Sequence, residues 1–174
     1  MNHSLINKTG RGRAALFTVS LILLFAGNLF AQGNRLFHIE RSKNKNLVCY
    51  DVNLANGVLN AKEPITVYWL NQEDKPGQTN GLSAIEKRFA YGYKVVSKGE
   101  DTCEVTLSAY SDRKLTIRKL NGKYISLITI DNQPAILQKL YVQAKGKNAL
   151  TVEYVELFGI TLDSGKAVSE KVSQ

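Results

Sequence analysis

CEVTLSAYSDRKLTIRKLNGKYISLITI, residues 103–130, decides the fold. Cys103, Val105, Leu107 and Ala109 alternate with Glu104, Thr106, Ser108 and Tyr110. That period of two belongs to a strand with one buried and one wet face. Leu115 to Ile130 then runs on in β-branched and aliphatic residues, interrupted at Asn121-Gly122. A two-residue hairpin turn needs positive φ at both central positions, and Asn-Gly supplies it. The segment therefore reads as successive strands folded back on one another.

The same period recurs on both sides. Leu36 to Arg41 alternates, and Leu47 to Leu54 places Val48, Tyr50, Val52 and Leu54 on one face. Ile65 to Leu70 (ITVYWL) follows Pro64 as a β-branched and aromatic run. Tyr91 to Ser97 and Ala135 to Ala144 are further strands, and Lys145 to Asn148 reads as a turn. Leu150, Val152, Tyr154, Phe158, Ile160 and Leu162 recur at period two, with Glu156 marking an exposed or bulged point. One segment differs. After the turn-rich loop Asp74 to Gly81, Ser83-Ala84-Ile85-Glu86 forms a capping box, and Ile85 and Phe89 lie on one helical face. This helix ends near Ala90, before Gly92, and is short enough to need packing against the sheet. The expected fold is all-β with one short helix, an antiparallel barrel or sandwich of about eight to nine strands. The helix is expected to cover an edge or an open end. Residues 32–174 read as a single domain whose polar tail after Asp163 frays.

Residues 1–31 read as a signal peptide. Lys8, Arg11 and Arg13 precede an apolar run from Ala14 to Ala26, and Ala31 suits the cut before Gln32. The chain is thus expected to be exported, periplasmic or extracellular, with no membrane span once the signal is removed. The formal net charge of +8 (23 Lys and Arg, 15 Asp and Glu) then falls to +5, since three basic residues leave. About 143 residues remain, enough to bury one core. Export removes nucleic acid from the expected partners. A small apolar ligand or an anionic surface remains open, the latter because Arg41, Lys43 and Lys45 form one basic hairpin tip and Arg113, Lys114, Arg118, Lys119 and Lys123 surround Asn121-Gly122. Solvated turns protected by lysine are the plainer account of those charges.

The densest polar cluster is the first hairpin, FHIERSKNKNLVCYD at 37–51. With Ser42 to Lys45 as its loop, Arg41 faces Asn46, Ile39 faces Val48 and His38 faces Cys49. His38, Glu40, Cys49 and Asp51 would then share the face opposite Phe37, Ile39, Val48, Tyr50 and Val52. A thiol-dependent hydrolase is one reading, with Cys49 activated by His38 and Asp51 or Glu40 orienting the ring. The leading reading is a binding or structural module without catalysis, because no cysteine-protease motif accompanies Cys49. Its site would be the mouth bounded by the first hairpin and the helix, with His38, Glu40, Arg41, Tyr68, Trp69, Tyr91 and Tyr93 as ligand-binding candidates. An enzyme requires His38 within hydrogen-bond reach of Cys49; a binding module requires an apolar pocket near Trp69. Export also permits a Cys49–Cys103 disulfide. Neither a metal site nor a cofactor is expected: His38 is the only His after the signal, and no phosphate-binding glycine motif occurs.

FHIERSKNKNLVCYDVN at 37–53, PITVYWL at 64–70 and LSAIEKRFAYGY at 82–93 together resemble an exported bacterial family known as domain of unknown function 4833. The resemblance covers essentially the whole mature chain. It implies a single-domain module and no particular activity or catalytic residue.

The signal reading has a direct check. Intact-mass analysis of exported protein is expected to show a chain starting at Gln32; retention of residues 1–31 would overturn it.

Overall fold

The computed structural model describes residues 34–146 and 151–173. The expected signal segment lies outside the described residues, as do Leu150 and the Lys147-Asn148 half of the expected turn. In chain order the elements are β1 (Arg35–Arg41), β2 (Asn44–Val52), β3 (Leu54–Ala55), β4 (Val58–Leu59), β5 (Ile65–Leu70), β6 (Thr79–Gly81), α1 (Ala84–Phe89), β7 (Tyr93–Lys98), β8 (Thr102–Leu107), β9 (Tyr110–Leu120), β10 (Lys123–Ile130), β11 (Gln133–Ala144), β12 (Val152–Thr161) and β13 (Ala167–Ser173). β3 and β4 pair with each other, and the other eleven strands form one curled sheet.

The fold is all-β with one short helix, as the period of two requires. The sheet is mixed, however, not purely antiparallel. β1 runs parallel to β11, with His38 opposite Lys139 and Arg41 opposite Val142. Parallel neighbours need a long connection, and here everything from β2 to β10 serves as one. Periodicity assigns faces and says nothing of strand direction, so this pairing was not readable from alternation.

β11 organises the sheet. One of its edges belongs to β12, from Ala135 opposite Thr161 to Ala144 opposite Val152. The other edge is divided. Gln133 to Ile136 pairs with β10, whereas Lys139 to Val142 pairs with β1. The β11–β12 register shifts between Leu137 and Lys139, where the divided edge changes partner. Two arms leave from this strand, β1–β2–β5–β6 and β10–β9–β8–β7. One hydrophobic cluster draws on both. Phe37, Ile39, Val48, Tyr50 and Ile65 come from the first arm; Val105, Leu107, Leu115, Ile117, Ile128 and Ile130 come from the second; Leu137, Leu140 and Leu157 join them. Phe37 and Tyr50 stack with centroids 4.3 Å apart. The Tyr50 hydroxyl donates to the Tyr91 carbonyl at 2.8 Å, and the Tyr93 hydroxyl donates to the Ile65 carbonyl at 2.9 Å. Buried hydroxyls are thereby satisfied while tying the first arm to the segment around β7.

The Asn121-Gly122 turn forms as its chemistry demands, with φ of 50° and 82°. Three local expectations are corrected. The first hairpin turns at Ser42-Lys43, with Arg41 opposite Asn44 rather than Asn46, although His38 faces Cys49 and Ile39 faces Val48. A register shift between Ile39 and Arg41 absorbs the difference. Ala109 does not extend the Cys103 strand: Ser108-Ala109 is a turn, and Leu107 pairs with Tyr110. Consequently Arg113 and Lys114 sit near the opposite end of β9 from Asn121-Gly122. The tail also does not fray. Ala167 to Ser173 pairs with β12, with Val168 and Val172 against the core.

Glu170 anchors that strand. Its carboxylate pairs with Arg113, including a 2.7 Å bond from Nη1, and accepts from the Asp131 backbone N–H at 2.8 Å. The Arg113 hydrogen bonds hold its pKa down to about 2, below the ordinary 4.5. A depressed carboxylate contributes stability above its unfolded pKa and loses it as pH falls through the folded one. Protection of the β13 amides, taken relative to their intrinsic exchange rates, is therefore expected to fall between about pH 4 and pH 2. Glu170→Gln is expected to remove that acid step and to cost about 1–2 kcal/mol at pH 7 in a urea melt.

Candidate functional site

Alternation along β1 sends its polar side chains to opposite sides of the sheet. His38 and Glu40 lie on the outer face, whereas Arg41 follows Phe37 and Ile39 on the inner face. The outer constellation expected from the hairpin assembles, but as two paired groups. Arg35 pairs with Asp51 and donates to the Tyr68 hydroxyl at 3.0 Å; that hydroxyl donates to Asp51 Oδ2 at 2.8 Å. Glu40 binds His38 Nε2 at 3.2 Å and accepts from Lys139 Nζ at 2.9 Å. Burial opposes ionisation of Glu40, yet the Lys139 and His38 bonds outweigh it and leave its pKa below the ordinary value.

Cys49 lies between these groups and is 0% exposed. Burial raises its pKa, the reverse of what a thiolate nucleophile needs. Among the described residues, no hydrogen bond joins His38 to Cys49. Cys103 belongs to the inner hydrophobic cluster, where burial pushes its thiol up to about 11. Both cysteines are free. Cys49 faces outward from the first arm and Cys103 inward from the second, so the expected disulfide pairing is not present. Among the described residues, no three His, Cys, Asp or Glu side chains group in a way that could hold a metal ion.

The inner face carries a different site. A cavity of about 460 Å³ lies where the arms part. Ile39 and Arg41 of β1, Leu140 and Val142 of β11, and Val152 and Val155 of β12 form one wall. Leu107, Ala109 and Tyr110 around the β8–β9 turn form another, and Ile85, Glu86, Phe89, Ala90 and Tyr91 of the helical segment close over it. A cavity of about 420 Å³ beside Asp112, Arg113 and Glu170 has a mostly polar lining, and one of about 400 Å³ is bordered by Glu40, Arg41, Lys45, Leu47, Gln72 and Tyr141.

The helix forms as the capping box predicts, with Ser83 as N-cap and Ala90 as C-cap. It is not packed as a short amphipathic helix should be. None of its residues is buried, and Ile85 and Phe89 are 73% and 64% exposed. Polar tethers hold it instead. Trp69 Nε1 donates to Glu86 Oε1 at 3.0 Å, and Ser108 Oγ donates to the Lys87 carbonyl at 3.1 Å. The Ser108 N–H also donates to the Gly92 carbonyl at 2.8 Å. Gly92 is required there, because a Cβ would lie 1.8 Å from the Lys87 carbonyl oxygen. Burial alone would raise the Glu86 pKa, but bonds from Ser83 and Trp69 and the charge of Arg41 bring it below the ordinary value.

Of the residues expected to bind a ligand, Arg41 and Tyr91 line this cavity. Trp69 packs edge-on to Tyr91 at 5.3 Å, and the Arg41 guanidinium lies 5.7 Å from its ring centroid. His38, Glu40 and Tyr68 lie on the opposite face, and the Tyr93 hydroxyl is engaged with Ile65. Glu86 was not anticipated as a site residue. Its place in S-x-x-E announced a cap, and nothing in the local pattern showed that its second oxygen reaches Trp69.

Fold and cavity together define the class: an all-β domain with an apolar cavity bordered by its short helix. The family model for Domain of unknown function (DUF4833) matches residues 37–171, and the chain belongs to that family. No curated protein and no solved structure matches it.

Trp69 is the sole tryptophan, so its emission reports on this site. Glu86→Ala is expected to shift that emission to the red and lower the melting temperature by about 2–4 °C. Ser83→Ala removes the cap alone, at a cost of about 1 kcal/mol, and is expected to leave the emission nearly unchanged.

Proposed function

We propose that this chain is an exported, non-catalytic binding module that encloses a small apolar molecule between β1, β11, β12 and α1. The observation that carries the reading is the cavity itself. Its volume of about 460 Å³ falls within the range of small-molecule sites, about 300–1,000 Å³, and its walls are mainly aliphatic and aromatic. Among the described residues, Arg41 and Glu86 are its only charged lining residues, the pattern of a site that orients a ligand by one end. The exposed Ile85 and Phe89 support the same reading, since a ligand beneath them would cover apolar surface that the protein leaves in water.

Binding is favoured over thiol chemistry by the state of Cys49. A buried thiol with a raised pKa, unconnected to His38, lacks both access and activation. Export rests on the signal-like residues 1–31, with the periplasm or the extracellular space as the destination. Among the described residues, no helix is long and apolar enough to cross a membrane.

Titration with decanol, followed by Trp69 emission, is expected to give a saturable shift. Val142→Phe fills part of the cavity and is expected to weaken that response about tenfold, while the melting temperature moves by only a few degrees. A wild-type protein that shows no saturable response to decanol or to other apolar probes would overturn the reading.

A further inference from the structure

We propose that the ligand carries an oxyanion at one end, held by the Arg41 guanidinium at the cavity mouth while its apolar remainder lies against Ile39, Leu140 and Val142. This deepens the binding reading above and rests on it.

The argument begins with how Arg41 is placed. It occupies the last inward position of β1, where Phe37 and Ile39 precede it in the same row. Its guanidinium lies 5.7 Å from the Trp69 ring centroid and 5.9 Å from that of Tyr91. The rings attract the cation electrostatically but are no substitute for an oxygen acceptor, so its N–H donors stay available. Among the described residues those donors are not used: Arg41 makes no side-chain hydrogen bond and no ion pair. Arg35 and Arg113 differ, being engaged by Asp51 and Glu170. The aromatic rings thus favour a cation at this place, with its donors unspent among the described residues.

The other charged lining group is in the opposite condition. Glu86 Oε2 accepts from the Ser83 N–H at 2.8 Å and from Ser83 Oγ at 2.7 Å, and Oε1 accepts from Trp69 at 3.0 Å. Its acceptor capacity goes to the cap and the tether. What the mouth offers a ligand is therefore the donor capacity of Arg41, beside a carboxylate whose oxygens are already engaged. The complement is an acceptor-rich anion, and the planar fork matches the two oxygens of a carboxylate or phosphate. An apolar cavity behind a single such donor selects an amphiphile, anionic at one end only.

The test compares probes of one chain length on the purified protein at pH 8: decanoate, decyl phosphate, decanol and decylamine. Decanoate or decyl phosphate is expected to bind about tenfold tighter than decanol, the factor of one charge-assisted hydrogen bond, with decylamine weakest. The better anion identifies the head group as carboxylate or phosphate. Arg41→Gln is expected to bring the anions to the level of decanol, leaving decanol itself within about twofold and thereby reporting an intact cavity. Arg41→Lys keeps the charge but not the fork and is expected to fall between. Equal binding of the anions and decanol by wild-type protein, or tightest binding of decylamine, overturns the proposal while leaving the apolar site standing. Binding of none of the four overturns both. Should Arg41→Gln fail to fold, the wild-type order of the four probes decides.

Discussion

A strand has two hydrogen-bonding edges, and β11 must serve three neighbours with them. It does so by giving β12 one edge and dividing the other, Gln133 to Ile136 for β10 and Lys139 to Val142 for β1. Two strands cannot occupy the same edge in the same plane, so the arms beginning with β10 and β1 diverge from the change of partner. Their inner faces meet in one cluster that holds Phe37 and Tyr50 from one arm and Leu115 and Ile117 from the other. Core and cavity both follow from this division. β10 leaves the edge at Ile136, and beyond that point Leu140 and Val142 present inner-face side chains that no strand of the second arm pairs alongside.

What covers that gap explains the character of the site. A helix of six residues cannot supply much apolar contact, and this one supplies almost none of its own. Its position depends on Glu86 reaching Trp69, on Ser108 reaching the Lys87 carbonyl, and on the close passage at Gly92. Directional bonds fix where the helix stands without requiring it to pack down. Ile85 and Phe89 consequently face solvent at the edge of an apolar cavity, and the proposed ligand would cover them. Covering such surface is worth about 25 cal/mol per Å².

The residues that alternate were legible in the sequence. Cys103, Val105 and Leu107 face inward, as do Val48 and Tyr50, and Asn121-Gly122 turns with positive φ at both residues. The capping box at Ser83 and Glu86 was legible for the same reason, since local bonding decides it. What local pattern cannot carry is long-range pairing. The parallel β1–β11 pair, the docking of Ala167 to Ser173 and the reach of Glu86 to Trp69 each join residues distant along the chain. Asn56-Gly57 is a different case: it carries the same turn signal as Asn121-Gly122, but between strands of two residues it leaves no period to read. Arg41 shows the limit within a single strand. Composition groups it with Lys43 and Lys45 as a basic hairpin tip, yet alternation turns it inward against Trp69 and Tyr91.

That separation decides how the charge of the hairpin should be weighed. On the outer face each cation near Cys49 already has an anion: Arg35 has Asp51, and Lys139 has Glu40. Part-buried pairs of this kind offer a newcomer little unless an existing partner is displaced. On the inner face Arg41 is supported by rings that take no hydrogen bond from its edge. The anion proposed for that place would break no ion pair with a described residue. The two faces of β1 thus divide its polar residues by cost: those facing outward are satisfied by one another, and the one facing inward keeps its donors for the ligand proposed above.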